Sequence, residues 1–214
     1  MPSTEAEPGK GKLSELRAGL WVVALLFSLF CLALLYLGQG KGSGGRSGGV
    51  DSEMANAIGG PFTLTAPDGS TVTDRTLAGK PFAIFFGFTR CPDVCPTNLA
   101  RMARLRAQLK GDGDKFAIVF VSVDPEQDTP AIIGEYVKLF GTPIIGLTGT
   151  PAQLEQIKKA YAVFSAKVPI KGGGYTIDHT AATYLMTRDG KFAGTIDHQE
   201  ADADALKKLR QLIA

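Results

Sequence analysis

The segment FAIFFGF, Phe82 to Phe88, contains no polar side chain. A strand without polar alternation has to be covered on both faces, so the chain is expected to build a central sheet with helices packed against it. Thr89-Arg-Cys-Pro-Asp-Val-Cys-Pro96 comes next, with two cysteines four positions apart. The strand therefore delivers both thiols to one end of the sheet.

The rest of the chain keeps the alternation. A helix is expected over Thr97 to Lys110 and a second buried strand over KFAIVFVSV, Lys115 to Val123. Helices are expected over Ala131 to Phe140 and Ala152 to Phe164, where apolar residues recur three and four apart. FTLT and TVT flank Ala66–Gly69 as a hairpin, ATYLMT and KFAGTI flank Arg188–Gly190 as another, and Asp202 to Ile213 closes the chain as a helix. Strand–helix–strand, helix, hairpin, helix is the order of an α/β thioredoxin-like fold, a central mixed sheet flanked by helices.

Upstream, Leu20 to Leu37 is an uncharged run of 18 residues, close to the length that crosses about 30 Å of hydrocarbon. A signal peptide's apolar region is shorter, about 7 to 15 residues, and GQGKGS after Leu37 is a poor cleavage site, so an uncleaved transmembrane helix is expected. Lys10, Lys12 and Arg17 outnumber Lys41 and Arg46 and place the head in the cytoplasm. Glu5, Glu7 and Glu15 argue against a mitochondrial transit peptide. The expectation is a single-pass protein of a bacterial inner membrane, with its soluble domain in the periplasm. Residues 1–19 form the head, 20–37 the anchor, 38–58 a flexible glycine-rich linker and 59–214 the folded domain. A net charge of +2 and the absence of a long Lys/Arg block give no footprint for nucleic acid.

Pro96 suits the first position of a helix, which makes Cys95 the N-cap. A thiol is a poor cap, but a thiolate there is stabilised by the helix N-terminus and its pKa falls. The cysteine pair has three possible uses: buried small hydrophobes, a catalytic or structural disulfide, or a metal site. Prolines bracketing the pair in a turn disfavour the first, and spacing alone does not rank the others.

Two histidines complete the candidate ligands. His179 belongs to Lys171-Gly-Gly-Gly-Tyr-Thr-Ile-Asp-His-Thr180, read as a glycine-rich loop reaching over a site, with Asp178 placed to orient the imidazole. His198, before the last helix, is read as exposed or hydrogen-bonded. In Val123 to Pro130, Asp124-Pro opens a turn and Asp128-Thr-Pro caps a helix. Met102 and Met186 are read as core, and Cys31 as part of the anchor.

Taken together, GFTRCPDVCPTNL (Gly87 to Leu99), VSVDPEQDTP (Val121 to Pro130) and DHTAATYLM (Asp178 to Met186) resemble the Sco/SenC copper chaperones of cytochrome c oxidase assembly. The resemblance runs from about Gly59 to Ala214. It implies one copper ion, Cu(I) or Cu(II), held by Cys91, Cys95 and His179. It also implies a partner, the oxidase subunit that houses the binuclear copper centre. No turnover chemistry is required. Because the periplasm oxidises dithiols, a separate thiol reductant is implied. Rival readings are a thiol-disulfide reductase with Cys91 and Cys95 as its redox pair, and a copper or redox sensor. Arg90 stands where many relatives carry histidine.

Overall fold

A computed structural model describes residues 25–33 and 57–214. The chain divides into two units, Met1–Gly48 and Gly49–Ala214. In the first, residues 25–33 are helical, with Leu25, Leu26, Phe27, Leu29, Phe30 and Leu32 exposed. The rest of the expected anchor, the head and most of the linker lie outside the described residues. Among the described residues no helix is long and apolar enough to cross a membrane.

The second unit opens with a hairpin, β1 (Thr63–Thr65) and β2 (Thr71–Thr73), turning through Ala66–Gly69 as expected. A short helix, α1 (Asp74–Leu77), leads to β3 (Phe82–Gly87), every residue of which is buried. Next come α2 (Val94–Gln108), a 3-10 turn (Lys110–Lys115), β4 (Ala117–Ser122), α3 (Pro130–Lys138), β5 (Ile144–Leu147) and α4 (Pro151–Ala160). The chain then forms β6 (Ser165–Pro169), β7 (Tyr175–His179), β8 (Thr183–Met186), β9 (Phe192–Ile196) and α5 (Asp202–Ile213).

Five strands form the central sheet in the order β5-β4-β3-β8-β9. β3 and β4 pair in parallel, as do β4 and β5, whereas β8 runs antiparallel to both β3 and β9. This is the mixed sheet expected from the sequence, with one strand more at the β5 edge. The sheet and its helices enclose one apolar core, in which Phe85, Phe86, Phe116, Phe120, Leu99, Leu105, Met102 and Met186 are nearly or fully buried. Both methionines therefore pack the core, as expected.

Three elements position the two cysteines and His179. α2 leaves the C-terminal end of β3 and turns Cys95, Leu99, Met102 and Leu105 inward, a spacing of three and four that lays one helix face on the sheet. The loop after β4 lies beside the loop after β3, because Gly87 pairs with Ser122 and the Val123 N–H donates to the Gly87 carbonyl at 2.8 Å. β6 and β7 pair only with each other, as a two-stranded sheet apart from the central one. The glycine-rich stretch is thus a hairpin with its turn at residues 170–174, and His179 is the last residue of a strand rather than part of a loop.

Candidate metal centre

Cys91, Cys95 and His179 converge. Their sulfur and ring-nitrogen atoms all lie within 4.8 Å of one another. His179 Nε2 stands 3.4 Å from Cys95 Sγ, although 84 residues separate the two in sequence.

Local structure explains the cysteine geometry and corrects one expectation. α2 begins at Val94 with Asp93 as N-cap, so Cys95 is the second helical residue and not the cap. Pro96 takes the third position, where the missing N–H is still one of the first-turn donors that lack an intrahelical partner. It is the Cys95 backbone N–H that points at sulfur, donating to Cys91 Sγ at 3.4 Å. The helix N-terminus therefore stabilises Cys91 and not Cys95. Hydrogen bonding from the Cys95 thiol, supported by the Cys95 and Asp93 N–H groups and by His179, outweighs burial and brings the Cys91 thiol down to about 5. The neighbouring Cys91 sulfur, followed by burial, pushes the Cys95 thiol upward. At neutral pH the reduced pair is one partly exposed thiolate and one buried thiol.

The imidazole is held on three sides. Phe85 and Phe88 stand edge-on to it, each with its ring centre 5.9 Å away. Nδ1 lies 3.0 Å from the Thr180 carbonyl oxygen. A carbonyl only accepts, so Nδ1 carries a proton, and Nε2 is the ring nitrogen turned to the sulfurs. Thr180 therefore fills the orienting role expected of Asp178, whose position in β7 is exposed because neighbouring strand residues face opposite ways. His198 lies outside the cluster, with its Nδ1 4.0 Å from Asp197.

The loop from Val123 to Pro130 does more than cap. Thr129 supplies the α3 cap, accepting from the Ile132 N–H, and Thr150 does the same for α4 through Gln153. Asp128 does not cap: its buried carboxylate accepts from the Thr89 N–H at 3.0 Å, the Thr89 hydroxyl at 2.6 Å and the Ser122 hydroxyl at 2.5 Å. Asp124, also fully buried, accepts from Arg90 at 3.0 Å and from the Tyr175 hydroxyl at 2.8 Å. Sequence alone does not mark either carboxylate as a support for the cysteine loop. The only signal for it is two acids at a strand end, next in the fold to the strand bearing the cysteines.

Gly87 supports the site from beneath. A Cβ there would fall 2.7 Å from Cys95 Sγ and 3.1 Å from the Phe120 ring. The buried sulfur occupies the space that a side chain at position 87 would need.

The model of the SCO1/SenC family matches residues 50–214. The chain belongs to the SCO1/SenC family. It is 42% identical over 137 residues to SCO1 homolog 1 of Arabidopsis thaliana, a mitochondrial protein, covering 64% of this chain and 41% of that one. With protein SenC of Rhodobacter capsulatus it shares 41% identity over 146 residues, 68% of this chain and 65% of the relative. The chain thus spans less than two thirds of the length of either relative. Among solved structures it is similar to Bradyrhizobium japonicum ScoI with copper bound, at 46% identity and a TM-score of 0.67, over 73% of this chain and 99% of that one. The family match covers the entire mixed sheet and all three clustered side chains, as the sequence motifs implied.

Proposed function

We propose that this chain is a copper metallochaperone that holds one copper ion between Cys91, Cys95 and His179 and delivers it to the binuclear copper centre of cytochrome c oxidase during assembly. The convergence of two sulfurs and one imidazole nitrogen within 4.8 Å carries the proposal. Thiolate and imidazole together suit copper, with sulfur favouring Cu(I) and nitrogen favouring Cu(II). Copper is cargo here. The partly exposed Cys91 lets an incoming ligand reach the ion, so transfer proceeds one ligand at a time. The copper-bound relative at 46% identity supports the choice of metal.

The uncharged run Leu20 to Leu37 serves as a single-pass anchor in a bacterial inner membrane, and residues 38–58 tether the domain on the periplasmic side. The partner is the copper-bearing oxidase subunit. A thiol reductant keeps the cysteines open, since a Cys91–Cys95 disulfide removes two of three ligands. A reporter that works only outside the cytoplasm, fused after Ala214, should be active; activity only of a cytoplasmic reporter would reverse this topology.

One observation favours a second reading, thiol-disulfide exchange. A partly exposed thiolate beside a buried thiol is the arrangement in which Cys91 attacks a partner disulfide and Cys95 then displaces the partner thiol, leaving the pair oxidised. Metal stoichiometry of the reduced full-length chain, measured beside disulfide-reductase turnover, separates the two. Equimolar copper that is lost in Cys91→Ser and in Cys95→Ser, without turnover, supports delivery. Turnover without stoichiometric copper supports exchange.

A further inference from the structure

The hairpin that carries His179 is not hydrogen-bonded into the central sheet as a strand, so something else must fix its distance from the cysteines. At its His179 end, the Thr180 N–H donates to the Phe164 carbonyl within the same segment of chain, and the imidazole rests between Phe85 and Phe88. Tyr175 begins β7 four residues earlier, about 13 Å away along a strand.

There the contacts form a closed triangle. Asp124 Oδ1 accepts from the Tyr175 hydroxyl and Oδ2 from Arg90. The Arg90 guanidinium also lies 5.1 Å from the centre of the Tyr175 ring. Arg90 directly precedes Cys91, and Asp124 is held in turn by its own N–H donating to Ser122 Oγ at 3.0 Å. One buried carboxylate thus joins the cysteine loop, the loop after β4 and the histidine hairpin. Lys167 also lies over the Tyr175 ring, at 4.3 Å, and pairs with Glu126. That ion pair is exposed and screened, whereas hydrogen bonds to a buried carboxylate are among the stronger ones.

We infer that Asp124, Arg90 and Tyr175 are positioning residues, a clasp that sets how far His179 reaches toward Cys95. The inference deepens the proposed copper role and rests on it, because the clasp acts on the ligand that closes the site.

Tyr175→Phe tests the clasp, since it keeps the ring and removes only the hydroxyl. In the reduced, metal-free full-length chain, the Nε2 nitrogen resonance of His179 reports the contact with sulfur directly. It should move toward that of a free imidazole in Tyr175→Phe and in Asp124→Asn. Copper loading should keep its Cu(I) stoichiometry, while Cu(II) affinity falls about tenfold or more and the imidazole-nitrogen splitting of the Cu(II) signal weakens. Lys138→Gln, which breaks a remote exposed pair with Glu135, should change none of these. A His179 resonance in Tyr175→Phe that coincides with the unsubstituted chain overturns the clasp, whether or not Asp124→Asn folds. A reduced unsubstituted chain that takes up no copper overturns the proposed function instead, and the metal-free resonance still judges the clasp.

Discussion

The backbone N–H of Cys95 donates to the sulfur of Cys91 at 3.4 Å, so a residue in the first turn of the helix serves as the electrostatic partner of the cysteine just ahead of that helix. The two thiols of one short motif shift in opposite directions, chiefly through the hydrogen bond between their side chains, with the Cys95 N–H adding to the fall at Cys91. Cys91 sits well below the usual thiol range and Cys95 above it.

Stability of the reduced protein should follow this inequality. Cys91 ionises at about 5 in the folded state and at about 8.5 when unfolded. Between those values only the unfolded chain binds the proton, so unfolding free energy rises with pH across that window and is lost as pH falls through about 5. Cys95 has the opposite sign: above about 8.5 only the folded state keeps its proton, and stability declines again. Melting temperatures of the reduced, metal-free protein should therefore climb from about pH 5 to a maximum near pH ~8.5. Cys91→Ser should flatten the climb. An unchanged slope in that variant would place the low-pKa group elsewhere.

The two histidines should separate cleanly. His179→Ala is expected to keep much of the Cu(I) binding, because both thiolates remain, and to lose most Cu(II) binding together with the thiolate-to-copper absorption. His198→Ala should change neither, as its ring lies outside the cluster. Titration of each variant with both oxidation states is the check. A larger Cu(II) effect from His198→Ala would refute the ligand assignment.

Much of this arrangement is legible in the sequence, and the parts that are not share a physical reason. The buried run at β3, both hairpins flanking Ala66–Gly69 and Arg188–Gly190, the Thr129 and Thr150 caps and helix α5 are all set by residues close in sequence. β5 escapes such a reading because Ile144–Leu147 is only four residues, next to Pro143 and interrupted by Gly146. That glycine is required by packing, since a Cβ would fall 2.4 Å from Ile133 of α3, and a strand defined by its neighbour leaves little trace of its own. β7 is hidden by the three glycines before it. The roles of Asp124 and Asp128 depend on partners 34, 51 and 39 residues away, and each acid also has a sufficient local explanation beside a proline. The start of α2 is misplaced by the sequence pattern because Pro96 fits the first position as well as the third.

Gly87 should tolerate no side chain. Its backbone is ordinary strand, so the constraint is space rather than conformation: the added carbon would meet Cys95 Sγ at 2.7 Å and Phe120 at 3.1 Å. Gly87→Ala should cost about 1 to 3 kcal/mol, the usual penalty for overpacking a tight interior. It should also weaken copper binding, because the atom it displaces is one of the three proposed ligands. Chemical denaturation and metal stoichiometry measure the two effects. Full copper binding with unchanged stability would show that the sulfur has room to move.

Arg101 offers a prediction away from the ligands. Its guanidinium, only 7% exposed, lies under the turn that links β9 to α5. It donates to Asp202 Oδ1 at 2.7 Å, to the Asp197 carbonyl at 2.9 Å, to the His198 carbonyl at 3.4 Å and to the Glu200 carbonyl. Three turn carbonyls and the first acid of α5 are thereby satisfied by one planar group. A lysine has the charge but not the fork, so it reaches only part of this set. Arg101→Lys should recover little of what Arg101→Ala loses, about 1.5 to 3 kcal/mol for hydrogen bonds made by a charged donor. Hydrogen exchange should localise the damage to residues 197–202 and the first turn of α5, where the freed carbonyls and Asp202 lose their common donor. Equal stability of Arg101→Lys and the unsubstituted protein would show that charge alone holds the turn.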